Sequence, residues 1–132
     1  MVKGLTRFIW TSGRKCNFKG CHDRQDLQPA IVKGWFWSGS GVRLGYTSDK
    51  DGSEHVEGDW SLKGGDGQRQ PDNREFELTG KNDEACLAVL NNYYKDGVVW
   101  HDIACYHKKS FVCEDSDELI EYMRQAHPNA KL

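Results

Sequence analysis

The chain has 132 residues, of which 37% are hydrophobic and 29% are charged, and its formal net charge is −2. This length is typical of one domain, and five residues each of Trp, Tyr and Phe supply enough large apolar surface to argue against general disorder. Interspersed charges of both signs argue against nucleic acid as a partner, and no apolar run approaches the roughly 20 residues that membrane insertion requires.

Two strands and a long polar segment are predicted in the first half of the chain. Alternating apolar residues around Trp10 predict a strand over residues 5–11, which Ser12 and Gly13 are expected to end. Residues 35–37 form an aromatic run between Gly-rich turns and predict a second, short strand. Residues 41–72 are dense in Gly, Asp and Ser, and a loop of this length in a compact domain is usually functional or mobile.

Three further strands and a helix are predicted in the second half. The strands cover residues 85–90, 97–105 and 110–114, and Asp96-Gly97 is a strong hairpin signal between the first two. A helix is expected to begin near Asp115 or Ser116 and to end at Pro128. Its apolar residues are expected on one side at helical spacing: Leu119, Ile120, Tyr122 and Met123.

Five cysteines are an odd number, and in a secreted protein this means a missing partner, a second chain or a free thiol. Zinc ligation is the alternative to disulfides. Its ligands would be Cys16 and Cys21 with His22, and His101 or His107 with Cys105 and Cys113. The spacing matches zinc ligand pairs poorly, so disulfides explain the same cysteines better.

Seven short motifs follow one another between about residues 8 and 114. In chain order they are Ile9-Trp10-Thr11-Ser12-Gly13, Trp35-Phe36-Trp37, Trp60 before a Gly-rich turn, Gln70-Pro71-Asp72-Asn73, Glu84-Ala85-Cys86, Trp100-His101-Asp102-Ile103-Ala104-Cys105 and Phe111-Val112-Cys113-Glu114. This ordered series resembles the second half of a C-type lectin domain. The Cys16 and Cys21 pair after the first strand resembles secreted arthropod members of that family.

The resemblance implies an α+β, C-type lectin-like fold with a long-loop region over a small antiparallel sheet. It also implies two disulfides, Cys16–Cys21 and Cys86–Cys105, and a secreted, extracellular protein. Cys113 would pair with a cysteine of the family's first helix, which this chain lacks together with the first strand and the second helix. Residues 1–114 would then be a partial domain and residues 115–132 a helical tail, and a further chain segment would supply the partner of Cys113.

The same resemblance implies a calcium site, because the motifs carry oxygen ligands of the kind that Ca²⁺ prefers. The expected ligands are Gln70, Asp72, Glu84 and Asp102, with the first two on either side of a cis Pro71. The order Gln-Pro-Asp resembles galactose-binding members, and the sugar would contact these four residues together with His101 and Phe76. His101 departs from the family, which has Asn there, and imidazole is a poor ligand for Ca²⁺.

Three features have plainer interpretations. Residues 49–54 resemble a calcium loop, but the glycine is misplaced for an EF-hand and a solvated loop is favoured. The tryptophans at positions 10, 37, 60 and 100 are expected to pack the core rather than bind sugar. His101 and Asp102 are adjacent on a strand and point to opposite faces, and no motif places a Ser or Cys nucleophile, so no enzymatic activity is expected.

The sequence therefore predicts a secreted, calcium-dependent carbohydrate-binding module that acts in extracellular recognition, in matrix or cuticle, or in innate immunity. Its partner would be a glycan or a glycoprotein. The alternative is a calcium-independent module of the same fold, in which the change to His101 has removed the sugar site and the ligand is a protein.

Overall fold

The protein is described from a computed structural model, which covers residues 7–47, 58–113 and 117–129. Within these residues the chain forms an α+β fold whose sheet has five strands: β1 (Phe8–Lys15), β2 (Trp35–Trp37), β3 (Cys86–Asn91), β4 (Val98–Ile103) and β5 (Ser110–Phe111). A 3-10 turn (Gln25–Leu27) and three helices accompany the sheet: α1 (Ala30–Lys33), α2 (Arg74–Thr79) and α3 (Asp117–Ala126). Residues 49–54, which were predicted to form a solvated loop, lie outside the described part of the chain.

The sheet has the order β2-β1-β3-β4, and all three of these pairings are antiparallel. β5 adds a short parallel pairing to the first half of β1, where Ile9 lies opposite Ser110. The α+β class and the antiparallel sheet are thus confirmed, with β5 as a parallel exception. The three predicted strands of the second half are present: β3 has the expected six residues, shifted by one position, whereas β4 and β5 are shorter than expected.

The predicted end of β1 at Ser12 and Gly13 is wrong, because the strand continues to Lys15. Gly13 lies opposite Trp37 of β2, and a Cβ atom added there would be 2.6 Å from the Cβ of Leu87. The glycine is therefore required by the close approach of β3, and it does not mark a turn. The short helices α1 and α2 are also absent from the prediction, since their few residues carry no helical periodicity.

The core lies on one side of the sheet and consists of Trp35, Leu44, Trp60 and Leu87, with Trp37 and Trp100 packed against it. Trp60 brings the long loop to the edge of β4, where Ser61 N–H donates to Trp100 O and Trp100 N–H donates to Asp59 O. Three of the four tryptophans predicted as core therefore have that role. The fourth, Trp10, is partly buried, and its indole N–H donates to His107 O.

Both disulfides implied by the resemblance are present, Cys16–Cys21 and Cys86–Cys105, and Cys113 is a free, exposed thiol. The zinc alternative is wrong, since three of its four cysteines, Cys16, Cys21 and Cys105, are in disulfides. The C-terminal helix begins at Asp117 and ends before Pro128, close to the prediction. Tyr122 is 65% exposed and does not belong to a buried side. Among the described helices, none is long and apolar enough to cross a membrane.

Candidate functional site

A cavity of about 530 Å³ lies beside the C-terminal end of β4, and five of the six residues predicted for the sugar site line it. These residues are Gln70, Asp72, Glu84, His101 and Asp102. The sixth, Phe76, is 42% exposed on α2 and does not line the cavity. The volume falls within the range of small-molecule sites in proteins.

Three carboxylates meet at one end of this cavity. Asp102 is on β4, Glu84 precedes β3, and Asp72 lies in the segment that leads into α2. One carboxylate oxygen from each lies within 4.8 Å of the others. A set of oxygens at this separation can share one divalent cation, and hard cations such as Ca²⁺ and Mg²⁺ bind carboxylate and carbonyl oxygens without nitrogen or sulfur ligands.

Asp102 orients the segment that carries Asp72. The Asp102 side chain is buried, with the residue 2% exposed, and its two oxygens accept the backbone N–H groups of Asp72 at 3.0 Å and Asn73 at 2.6 Å. The Gln70–Pro71 peptide bond is cis, as the resemblance implied. The backbone after Pro71 is therefore held against β4 by a carboxylate that is itself part of the cluster.

The cluster carries more negative charge than its surroundings stabilise. Burial, with repulsion from Asp102 and Asp72, raises the pKa of Glu84 to about 8. Burial, with repulsion from Asp72, raises the pKa of Asp102 to about 7 even though two N–H groups favour its ionised form. Like charges at short range disfavour ionisation, and a bound cation would reverse this effect.

Gln70 is 4% exposed and lies beside the carboxylates in the cavity wall. Its side-chain amide donates to Gln68 O at 3.4 Å, and the backbone of Gly64 packs against it. A Cβ atom at Gly64 would be 2.5 Å from the amide nitrogen of Gln70, so only glycine leaves room for this side chain. A buried amide supplies a carbonyl ligand for a cation and an N–H donor for a hydroxyl.

His101 lines the cavity but does not belong to the carboxylate cluster. Its Nε2 lies 3.4 Å from Asp96 Oδ2, and Ser61 donates a hydrogen bond to that same oxygen. Burial lowers the pKa of His101, although the Asp96 carboxylate raises it in part. The carboxylate stands between the hydroxyl and the imidazole, so His101 is not placed to activate Ser61 as a nucleophile.

Asn73, Asp83 and Lys15 support the site and were not predicted. The Asn73 side chain donates to Asp83 at 2.8 Å and accepts the backbone N–H of Glu84 at 2.8 Å. Lys15, 3% exposed, forms an ion pair with Asp83 at 2.8 Å. Asn73 has a positive φ of 51°, a conformation that Asn tolerates better than most residues. The asparagine itself was therefore the one local signal in the sequence.

Replacement of Asn73 by Ala is expected to destabilise the fold by about 1–2 kcal/mol, because two hydrogen bonds are lost and Ala tolerates the left-handed backbone poorly. Asn73→Gly keeps the backbone conformation and removes only the side chain. Thermal denaturation without calcium should therefore rank the variants as wild type, then Gly, then Ala. If both variants melt like the wild type, Asn73 does not support the position of Glu84.

Comparison with protein-family models, with curated proteins and with solved structures finds no match to this chain. The protein is therefore classified by the fold and the site that its structure shows. It is a small α+β domain with two disulfides and a cavity that has three convergent carboxylates at one end.

Proposed function

We propose that the protein is a secreted, C-type lectin-like module that binds carbohydrate through a calcium ion. The observation that carries the proposal is the convergence of Asp72, Glu84 and Asp102 in one cavity, with the pKa of Glu84 raised to about 8 and that of Asp102 to about 7. A cluster of carboxyl groups that resists ionisation alone is stabilised when a cation binds.

The ion would be held by oxygens of Gln70, Asp72, Glu84 and Asp102. Calcium takes six to eight oxygen ligands, so positions remain for two neighbouring hydroxyls of a sugar. Each hydroxyl would also donate to a carboxylate and accept from an amide. The Gln70 amide and the Asp72 carboxylate stand in the order of galactose-binding members of the C-type lectin family, and we propose a sugar of that type.

The two disulfides support the extracellular part of the proposal, since disulfides form and persist in oxidising compartments. Recognition in matrix or cuticle, or in innate immunity, is the setting that the resemblance implies. The exposed thiol of Cys113 would pair with a cysteine of another chain segment, because an unpaired cysteine is uncommon in a secreted protein.

Calcium is expected to raise the melting temperature at pH 8 relative to an excess of chelator. Calcium at about 100 times its dissociation constant would add roughly 2.7 kcal/mol, because it binds the native state and not the unfolded chain. Differential scanning fluorimetry measures this shift. Asp72→Asn should abolish it, whereas Asp23→Asn, at an exposed residue outside the cavity, should leave it intact.

A second candidate function is a calcium-independent module that binds a protein. The observation that favours it is the engagement of His101 with Asp96, which keeps the imidazole outside the carboxylate cluster. An unchanged melting temperature at millimolar calcium contradicts the lectin proposal and supports this candidate.

A further inference from the structure

Helix α3 packs closely against no other element in the described part of the chain. Between described residues, no hydrogen bond or ion pair joins it to the sheet or to another helix. A helix of ten residues is marginal in water on its own, because so few hydrogen bonds do not offset the nucleation of the first turn. The stability of α3 therefore depends on a surface that covers one of its sides.

One side of α3 is apolar and only partly covered. At 3.6 residues per turn, four apolar residues lie on this side: Ile120, Tyr122, Met123 and Ala126. Tyr122 is 65% exposed and Ala126 is exposed, whereas the other two are half-buried. The opposite side is polar, and there the Gln125 amide donates to Glu121 Oε1 at 3.1 Å. The apolar side is therefore the side that a partner would cover.

Charged residues border the apolar side, and their signs differ between the two ends of the helix. Asp117 and Arg124 are seven residues apart, which is almost two full turns, so both lie along the same border. The aspartate is in the first turn and the arginine is in the last turn. Both are exposed, and neither forms an ion pair with a described residue. One border of α3 thus carries opposite charges at its two ends.

This border distinguishes the two ways in which two copies of α3 can pair. In a parallel pair, Asp117 would face the partner's Asp117 and Arg124 would face the partner's Arg124, and like charges at such contacts are destabilising. In an antiparallel pair, Asp117 lies opposite the partner's Arg124, and the two-fold axis repeats this contact. A second copy of the helix is therefore complementary to the first in charge, and it also supplies an apolar surface to cover Ile120 and Met123.

We propose that two copies of this protein associate through an antiparallel pair of α3 helices, in which Asp117 pairs with the partner's Arg124. The interface is small, because ten helical residues extend over only about 15 Å. A dissociation constant on the order of 10–100 µM is expected for an interface of this size. No described residue of α3 lines the carboxylate cavity, so the pairing does not depend on the proposed lectin function.

Sedimentation equilibrium of the full chain between about 10 and 500 µM tests the association. The protein carries Cys113→Ser, so that an intermolecular disulfide at the exposed thiol does not contribute. The mass is expected to rise from monomer to dimer with concentration, and Ile120→Ser with Met123→Ser should abolish the rise. A monomer at every concentration, or a dimer that survives this double substitution, overturns the proposal. A monomer that cosediments with vesicles containing phosphatidylserine also overturns it, and assigns the apolar side to a membrane surface.

Charge reversal tests the direction of the pair. Asp117→Lys alone and Arg124→Glu alone should each weaken association about tenfold, because an attractive contact becomes repulsive twice in each dimer. Asp117→Lys with Arg124→Glu exchanges the charges, and it should recover the wild-type dissociation constant. The double substitution also places a cation at the N-terminus of α3 and an anion at its C-terminus, which destabilises a helix. Recovery would therefore come from the contact between copies and not from a more stable helix.

Glu121→Lys is the matched control, because it makes the same change of charge as Asp117→Lys on the polar side of α3. The control should leave the dissociation constant of the dimer unchanged. If the double substitution associates no better than either single variant, or if Glu121→Lys weakens the dimer as much as Asp117→Lys, the antiparallel pairing is wrong.

Discussion

Glu84→Gln is expected to raise the melting temperature of the calcium-free protein at pH 8, and to abolish the further rise with calcium. Glutamine keeps the shape of the side chain and removes a charge that burial, Asp102 and Asp72 all disfavour. The same substitution deletes one of three carboxylates that would hold the ion. A variant that is more stable without calcium and less stable with it is difficult to explain unless the cluster is a cation site.

The effect depends on pH in a defined direction. The pKa of Glu84 is raised from 4.5 to about 8 in the folded protein, so the folded state holds its proton after the unfolded chain has lost it. The stabilising contribution is present below about pH 4.5 and is lost as the pH rises to about 8. The wild-type protein without calcium should therefore melt at a lower temperature at pH 8 than at pH 5, and Glu84→Gln should reduce that difference.

Glu84 is partly exposed, so solvent screening limits the gain at pH 8 to roughly 1 kcal/mol. This corresponds to an increase of about 4 °C for a chain of this size. Glu77→Gln, at an exposed position of α2 outside the cavity, is the matched control and should have no effect. A lower melting temperature for Glu84→Gln at pH 8, or an intact calcium response, would contradict the assignment.

The short aromatic strand was predictable because its signal is local. Trp35–Trp37 lies between glycine-rich turns and forms β2 as expected. Gln70, Asp72, Glu84, His101 and Asp102 were named from the resemblance of the motif series to the C-type lectin family, and all five line one cavity. The order of the motifs along the chain, and not the local pattern around each residue, therefore carried this part of the prediction.

The features that escaped prediction depend on contacts between distant parts of the chain. Asp96 was assigned only to a hairpin turn, yet its carboxylate faces His101 and accepts a hydrogen bond from Ser61, 35 residues away. Lys15 was placed after the end of a strand, yet it pairs with Asp83 across 68 residues. Such pairs cannot be predicted before the sheet is assembled, since in the sequence each of these residues is a polar residue of the kind that is common in exposed turns.

The two disulfides are expected to differ in their effect on the carboxylate cluster. Cys86 begins β3 directly after Glu84 and Ala85, and Cys105 follows β4 shortly after Asp102. The Cys86–Cys105 bond therefore joins the two elements that bring Glu84 and Asp102 together. The Cys16–Cys21 bond closes a local loop between β1 and the 3-10 turn, away from the cavity lining.

The double substitution Cys86→Ser with Cys105→Ser is expected to destabilise the protein by about 3 kcal/mol and to weaken calcium binding. The bond spans 19 residues, and the chain entropy that it removes from the unfolded state accounts for this value. Cys16→Ser with Cys21→Ser opens a span of only 5 residues and should cost about 2 kcal/mol. Urea denaturation with and without calcium measures both quantities.

The calcium response distinguishes a disulfide that stabilises only the fold from one that also holds the carboxylate cluster in place. Under conditions where each double variant remains folded, Cys16→Ser with Cys21→Ser should keep the wild-type increase in stability with calcium. Cys86→Ser with Cys105→Ser should lose most of it, because the strand ends that carry Asp102 and precede Glu84 are no longer joined. Equal calcium responses in the two variants would mean that hydrogen bonds alone, chiefly those of Asn73 and Asp102, hold the cluster in place.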